Sequence, residues 1–301
     1  MTKNNKEKYI IFDSMGGQGK QISGTAVIRA IKKKYPDRKI IWINSWDGGA
    51  INNPNVYKYF LHNQVNHNYF NHDFINEDTI IMKHDPYNET NHILRKEHLV
   101  ESWCKLFDLP YDGYKPELYI NPRELELAKD KIKPDKRPIM LIHSNGGGVG
   151  GQQYSKKSWY RDMPIELAQQ LVNHYKSRYR ILHIRTNDQL PLLGVEQLTL
   201  PLRELYAVFP LSTKRIFIDS FSHHVAAALD LQSTVLWIGN DPKVFGYKEH
   251  INIRPSAKYI KNMDKYTYIH PDITGLAQSF PYDTINMFDI NEIIKAVDSQ
   301  K

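Results

Sequence analysis

Seven short apolar runs, separated by stretches of helical periodicity, constrain this chain more than any other feature of it. They lie at residues 9–12, 39–43, 79–82, 139–142, 180–184, 215–218 and 234–238. Each has the length of a strand, and most set apolar residues back to back, the pattern of strands covered on both faces. Between several of them apolar positions recur on one helical face: Ile22, Ala26, Val27, Ala30, Ile31; Leu167, Ala168, Leu171, Val172, Tyr175; Val225, Ala226, Leu229. Strands alternating with helices predict an α/β fold with open, mostly parallel sheets. With 41% hydrophobic and 24% charged residues the chain can bury a sizeable core, which excludes global disorder. At 301 residues two domains are expected. No apolar run approaches the roughly 18 residues of a membrane-spanning helix. Residues 1–8 are polar and lead straight into a strand, so they do not read as a signal peptide.

Two prolines and a charge run at residues 131–138 mark the expected linker. The predicted domains are 1–134, 135–281 and a closing segment, 282–301. Each half opens alike: a strand, a glycine-rich loop, then a helix. In such sheets ligands bind beyond the carboxyl ends of the strands. Cys104 is the sole cysteine, which excludes an internal disulfide and zinc motifs built on cysteine pairs, and fits a reducing cytoplasm. The formal charge of +7 is mild for this length. It allows a phosphate-bearing ligand, an anionic membrane surface or nucleic acid. Lysines and arginines are spread along the chain, which disfavours a nucleic-acid groove without closing off that reading.

Four segments carry candidate chemistry. The first loop holds Gly16, Gly17 and Gly19, with Lys20 at the helix start; it suits either a tight turn or close approach of an anion, and its spacing is not that of a Walker A loop. The second loop holds Gly146, Gly147, Gly148, Gly150 and Gly151, followed by Lys156, Lys157 and Trp159. It reads as a cover for a diphosphate or as a solvated surface excursion. In IFIDSFSHHVAAAL a buried strand ends at Asp219-Ser220, and a small-residue helix begins with His223 and His224 in its first turn. An anion could meet the backbone N–H groups there, or Ser220 or Ser222 could cap the helix. Last, Gly239-Asn240-Asp241-Pro242 is a turn signature after a strand.

In this order the pieces resemble the heptosyltransferases of lipopolysaccharide synthesis, glycosyltransferase family nine, over most of the chain. GGQGKQISGTAVIRAIKKKYP looks like the family's opening loop and helix, and Asn53-Pro54-Asn55-Val56 fits the element after the next strand. HLVESWCKLFDLP, with PELYINPRELELAKDKI after it, looks like the approach to the interdomain linker. Lys157-Ser158-Trp159 matches a Lys-x-Trp motif, and LRELYAVFPL a later helix. The most specific match is Asp219-Ser220-Phe221-Ser222-His223-His224 with its alanines, where His224 takes the signature histidine position; Gly239, Asp241-Pro242 and Gly246 follow in register. Two departures stand out. Gly19-Lys20 occupies the place of a Gly-Asp pair whose carboxylate is the expected base, and Phe221 replaces a signature glycine.

The resemblance implies two Rossmann-like domains facing one another across a cleft (GT-B architecture), with the last helix, near 291–297, returning to the first domain. It implies an inverting, metal-independent sugar transfer from a nucleotide-diphosphate sugar, used as a co-substrate rather than a cofactor, to a hydroxyl of a glycan or other acceptor. Donor contacts fall to Lys157, Asp219, Ser220, Phe221, Ser222, His224 and, near the nucleobase at 185–187, Arg185. The acceptor is expected near 17–20, 46–49 and 83–89, with Gly17, Gly19 and Lys20 holding acceptor or phosphate. Lysine is a poor base at neutral pH unless burial lowers its pKa. The proton acceptor is therefore sought among Asp13 and Asp85, with Glu89 and Asp47 behind them. Two rival readings are a binding protein for a nucleotide sugar or anionic polymer that lacks the base, and a nucleotide-sugar epimerase or hydrolase. The chain is expected in the cytoplasm, with peripheral membrane contact open to it.

Overall fold

Back-to-back isoleucines build the first sheet. The computed structural model of the chain describes residues 7–133, 135–146, 161–256 and 287–301, and these divide into two units, Met1–Tyr119 and Ile120–Lys301. In the first unit the described elements are β1 (Tyr9–Ser14), α1 (Gln18–Lys34), β2 (Lys39–Asn44), β3 (Lys58–Leu61), α2 (His67–Phe74), β4 (Ile80–Met82), α3 (Thr90–Ile93) and α4 (Leu99–Leu106). The strands are parallel, in the order β3-β2-β1-β4. Alternation along β1 sends Ile10 and Phe12 into one core with Ala26, Val27 and Ile31 of α1 and Trp103 of α4. Tyr9 and Ile11 enter another with Phe70 and Phe74 of α2. Helices therefore cover both faces, as the unbroken apolar runs require.

The second unit holds α5 (Pro122–Lys131), β5 (Ile139–His143), α6 (Ile165–Tyr175), β6 (Arg180–Ile184), β7 (Glu196–Leu198), α7 (Leu202–Val208), β8 (Ser212–Ile218), α8 (Phe221–Ala228), β9 (Thr234–Leu236), α9 (Pro242–Phe245), β10 (Ile251–Ile253) and α10 (Ile290–Asp298). Its parallel sheet runs β10-β9-β8-β5-β6-β7. Counted from β5, that is the 3-2-1-4-5-6 order of dinucleotide-binding sheets, and the first sheet carries the 3-2-1-4 part of the same order. Strand order reverses between β1 and β4 in one unit and between β5 and β8 in the other. Those two switch points are where ligands bind in such sheets.

All seven predicted runs are strands. The division between the units lies ahead of the 131–138 stretch, because α5 packs on α7: Arg203 pairs with Glu124 at 2.8 Å, and Lys131 pairs with Glu204. The C-terminal helix packs on the second unit's own sheet. Its apolar face, Ile293, Ala296 and Val297, is buried with Met140, Leu171, Tyr175 and Leu236. Tyr175 Oη donates to Ile294 O at 3.2 Å, and Gln300 bonds Arg215 N and O at 3.0 and 2.8 Å. Among the described residues no helix is long and apolar enough to cross a membrane.

Candidate functional site

At the second switch point the last residue of β5, His143, meets the first turn of α8. Its Nδ1 lies 2.6 Å from Ser222 Oγ and 2.9 Å from Ser220 Oγ. Burial pushes the His143 pKa down to about 3, so the ring is neutral when it shares that nitrogen with the two hydroxyls. Ser220 stands at the N-cap position with extended backbone (φ −149°, ψ 175°), yet its side chain makes no cap hydrogen bond. Of the two sequence readings of these serines, capping is therefore not the one seen. The amino end of a buried, alanine-rich helix is left without its usual side-chain acceptor. Phe221, the first helical residue, lays its ring 5.2 Å from His143 and 6.2 Å from Tyr206.

Behind this helix end is a buried polar cluster. Asp219 accepts from Asn240 Nδ2 through one oxygen, and its other lies 3.3 Å from His223 Nε2. His224 Nδ1 sits 2.6 Å from Tyr247 Oη. His250 donates from Nε2 to His223 O (2.9 Å) and accepts from Ser233 N at Nδ1 (3.3 Å); burial pushes its pKa down to about 4, which fits that neutral tautomer. Ligand atoms of Asp219, His223 and His224 all lie within 4.8 Å of one another, a donor set a metal ion could use. The His223 and His224 rings are close, with centroids 3.9 Å apart and planes tilted by 35°. Here the three side chains are engaged by hydrogen bonds to Asn240, Tyr247 and one another. Next door, Ser144 Oγ lies 2.9 Å from His183 Nε2, and burial holds the His183 pKa near about 4.

Arg185 is tied into its own loop: it donates to Thr186 O (2.9 Å), Gln189 O (2.5 Å) and Gln197 Oε1 (2.5 Å). Lys157 lies outside the described residues, as do the glycines from Gly147 to Gly151, Lys156 and Trp159.

At the first switch point Lys20, in the first turn of α1, crosses from the loop after β1 to the loop after β4. Its Nζ bonds Asp85 Oδ2 at 2.8 Å; the lysine side chain is 3% exposed and the aspartate 41%. The ammonium also stands 4.6 Å from the Tyr87 ring centroid and 5.3 Å from that of Trp103. Burial, against the pull of Asp85, lowers the Lys20 pKa. Its charge is turned inward, so it is not presented to a phosphate. Asp85 Oδ1 accepts from Tyr87 N at 2.9 Å and caps the turn that begins at Pro86. Gly17 is the exposed N-cap of α1, with open space where a Cβ would stand, and Gly19 lies in the first turn. Asp13 is elsewhere. It follows Phe12 on β1 and so faces the α2 side, with His62 Nε2 at 2.7 Å and Lys83 Nζ at 3.2 Å.

His143, Tyr247 and His62 were not singled out from the sequence, and Asn240 was named only as part of a turn. His143 carried a usable signal, a polar residue closing an apolar strand at its carboxyl end, the same signal that marked Asp219. Tyr247 and His62 reach their partners from loops that no local pattern links to the site.

No protein-family model matches the chain, and no curated protein matches it in sequence. Solved structures do. A family 9 glycosyl transferase from Veillonella parvula is 13% identical, with 97% of this chain and 96% of that one covered and a TM-score of 0.67. The ADP-heptose lipopolysaccharide heptosyltransferase II of E. coli is also 13% identical, over 97% and 98% of the chains, at 0.64. The E. coli heptosyltransferase WaaC with ADP is 14% identical, over 96% and 99%, at 0.53. The fold is therefore that of the glycosyltransferases the sequence resembles, the GT-B fold.

Proposed function

We propose that the chain is an inverting glycosyltransferase that moves a sugar from a nucleoside-diphosphate sugar to a hydroxyl of a glycan or other acceptor. The observation that carries this reading is the amino end of α8 at the second switch point, where Ser220 makes no side-chain cap hydrogen bond. His143 engages the Ser220 and Ser222 hydroxyls, and the positive end of the helix dipole there is suited to a diphosphate. Such a fixed dipole stabilises charge developing on a leaving diphosphate, the task a metal ion does elsewhere. Lys157 is assigned to the same diphosphate on the strength of the sequence resemblance. Asp219 and His224, held by Asn240 and Tyr247, are assigned to the donor sugar or phosphate. The likeness to glycosyltransferases along nearly the whole chain supports the reaction class, and the ADP in the WaaC structure makes an ADP-sugar the first donor to try.

The acceptor belongs to the first unit, where a carboxylate must take the hydroxyl proton. Asp13 and Asp85 both stand at the carboxyl edge of that sheet. One observation favours a second reading: Lys20 occupies the place where the resemblance expects the base, as in a nucleotide-sugar-binding protein that no longer transfers.

Thermal shifts with ADP, GDP and UDP, followed by nucleoside diphosphate release from the matching sugar donors with and without glycoside acceptors, separate the two. Stabilisation by one diphosphate, weakened about tenfold in affinity by His224→Ala, together with acceptor-dependent release, is the expected result. Binding without release favours the second reading. Absence of any shift with all three would remove the donor site and the transferase with it.

A further inference from the structure

We propose that Asp85, carried on Lys20, is the group that takes the acceptor proton, and that Lys20 is its positioning residue. The inference rests on the transferase reading and assigns a role that reading leaves open. Asp85 stands in the loop after β4 and Lys20 in the first turn of the helix after β1, so the pair bridges the switch point of the first sheet, the place where a ligand of such a sheet binds. The two side chains differ in exposure. The lysine is sealed beneath Tyr87 and Trp103, while the carboxylate above it stays open to solvent. One oxygen is fixed by the buried ammonium at 2.8 Å and the other by the Tyr87 N–H at 2.9 Å. Two fixed donors hold the carboxylate in one orientation, and its remaining lone pairs are available to a hydroxyl. Gly16 completes the seat: its φ of +133° lets the loop pass so close to Lys20 that a Cβ there would lie 2.8 Å from Lys20 Cδ. Asp13 also has a donor on each oxygen but is far less exposed than Asp85. It lies on the other face of the sheet, 12% exposed, with His62 and Lys83 on its two oxygens.

In the step so assigned, the acceptor O–H gives its proton to an Asp85 oxygen as that hydroxyl oxygen bonds to the anomeric carbon. The anomeric carbon–oxygen bond to the diphosphate breaks, and its electron pair departs with the nucleoside diphosphate. No oxidant, reductant or further reactant is needed.

The test reads ADP release from an ADP-sugar with a methyl glycoside as acceptor, alongside ADP binding by thermal shift. Asp85→Asn should lower kcat by about 10²- to 10⁴-fold and leave the ADP shift unchanged. Because it leaves a buried ammonium unpaired, the Lys20→Met/Asp85→Asn double variant is made as well; it should fold, bind ADP and remain as inactive. Lys20→Met alone should lower kcat without raising the donor KM, and Lys20→Arg should recover part of the loss. Turnover kept in Asp85→Asn but abolished in Asp13→Asn overturns the assignment and leaves the transferase reading standing. Full activity in Lys20→Met overturns the positioning role. A wild type that binds ADP yet never releases it from donor overturns transfer itself, and the assignment with it.

Discussion

A lysine where a carboxylate was expected shows how far single residues can be read. The sequence identified Lys20 as the departure and Asp85 as a candidate, but nothing in it joined two residues 65 positions apart in the chain. Only the strand order, which sets β4 beside β1, brings them together. The same holds for His143 and Ser220, joined because β5 lies beside β8. Gly16 carries the sharpest prediction at this scale. Its positive φ and the 2.8 Å approach to Lys20 both penalise a side chain. Gly16→Ala should lose about 1–3 kcal/mol of stability by urea denaturation. A loss no larger than that of Gly17→Ala, where a Cβ meets open space, would show the loop to be free of this constraint.

Whole elements were legible in proportion to their burial. Every central strand announced itself by adjacent apolar residues, because helices cover both faces of its sheet. The three strands that escaped notice, β3, β7 and β10, are all edges of three or four residues with partly exposed side chains, and an edge needs no continuous apolar run. The last helix was expected from the resemblance alone, and its apolar face does not by itself say which sheet it covers. That placement is testable. Ile293 is fully buried among residues of the second sheet, so Ile293→Ala should cost about 2–5 kcal/mol. Amide exchange should rise in β8 and β9; a rise confined to β1 and β2 would put the helix elsewhere. At the other end of the unit, α5 opens on a capping box in which Asn121 Oδ1 accepts from Glu124 N and Glu124 Oε2 from Asn121 N, each at 2.9 Å. Asn121→Ala should cost about 0.5–2 kcal/mol, read from the urea midpoint, with no change in nucleotide affinity.

At the scale of the molecule, a fold shared with chains only 13% identical is preserved by pattern: covered strands, helices between them, and a few polar residues at the switch points. Part of that polarity is paid for in pH sensitivity. Four of the buried histidines have their pKa pushed down, His143 to about 3 and His92, His183 and His250 each to about 4, with burial the leading cause every time. In the unfolded chain each titrates near 6.5. Above that pH neither state is protonated there, and these groups add no slope. Below it the unfolded chain takes up protons that the native state refuses until pH 3–4, so stability falls as pH drops across that window. Each group contributes up to about 1.4 kcal/mol per pH unit. Three of the four lie in the second unit and one in the first. Acidification from about pH 7 to about pH 4.5 should therefore lower the urea midpoint of the second unit more steeply than that of the first, followed by tryptophan fluorescence at Trp237 in one and at Trp42 and Trp103 in the other. His250→Asn, which keeps a donor and an acceptor toward His223 and Ser233, should flatten the slope of the second unit by about one proton. A midpoint independent of pH over this range would mean that these imidazoles are charged in the folded protein and that the neutral hydrogen bonds assigned to His143 and His250 are wrong.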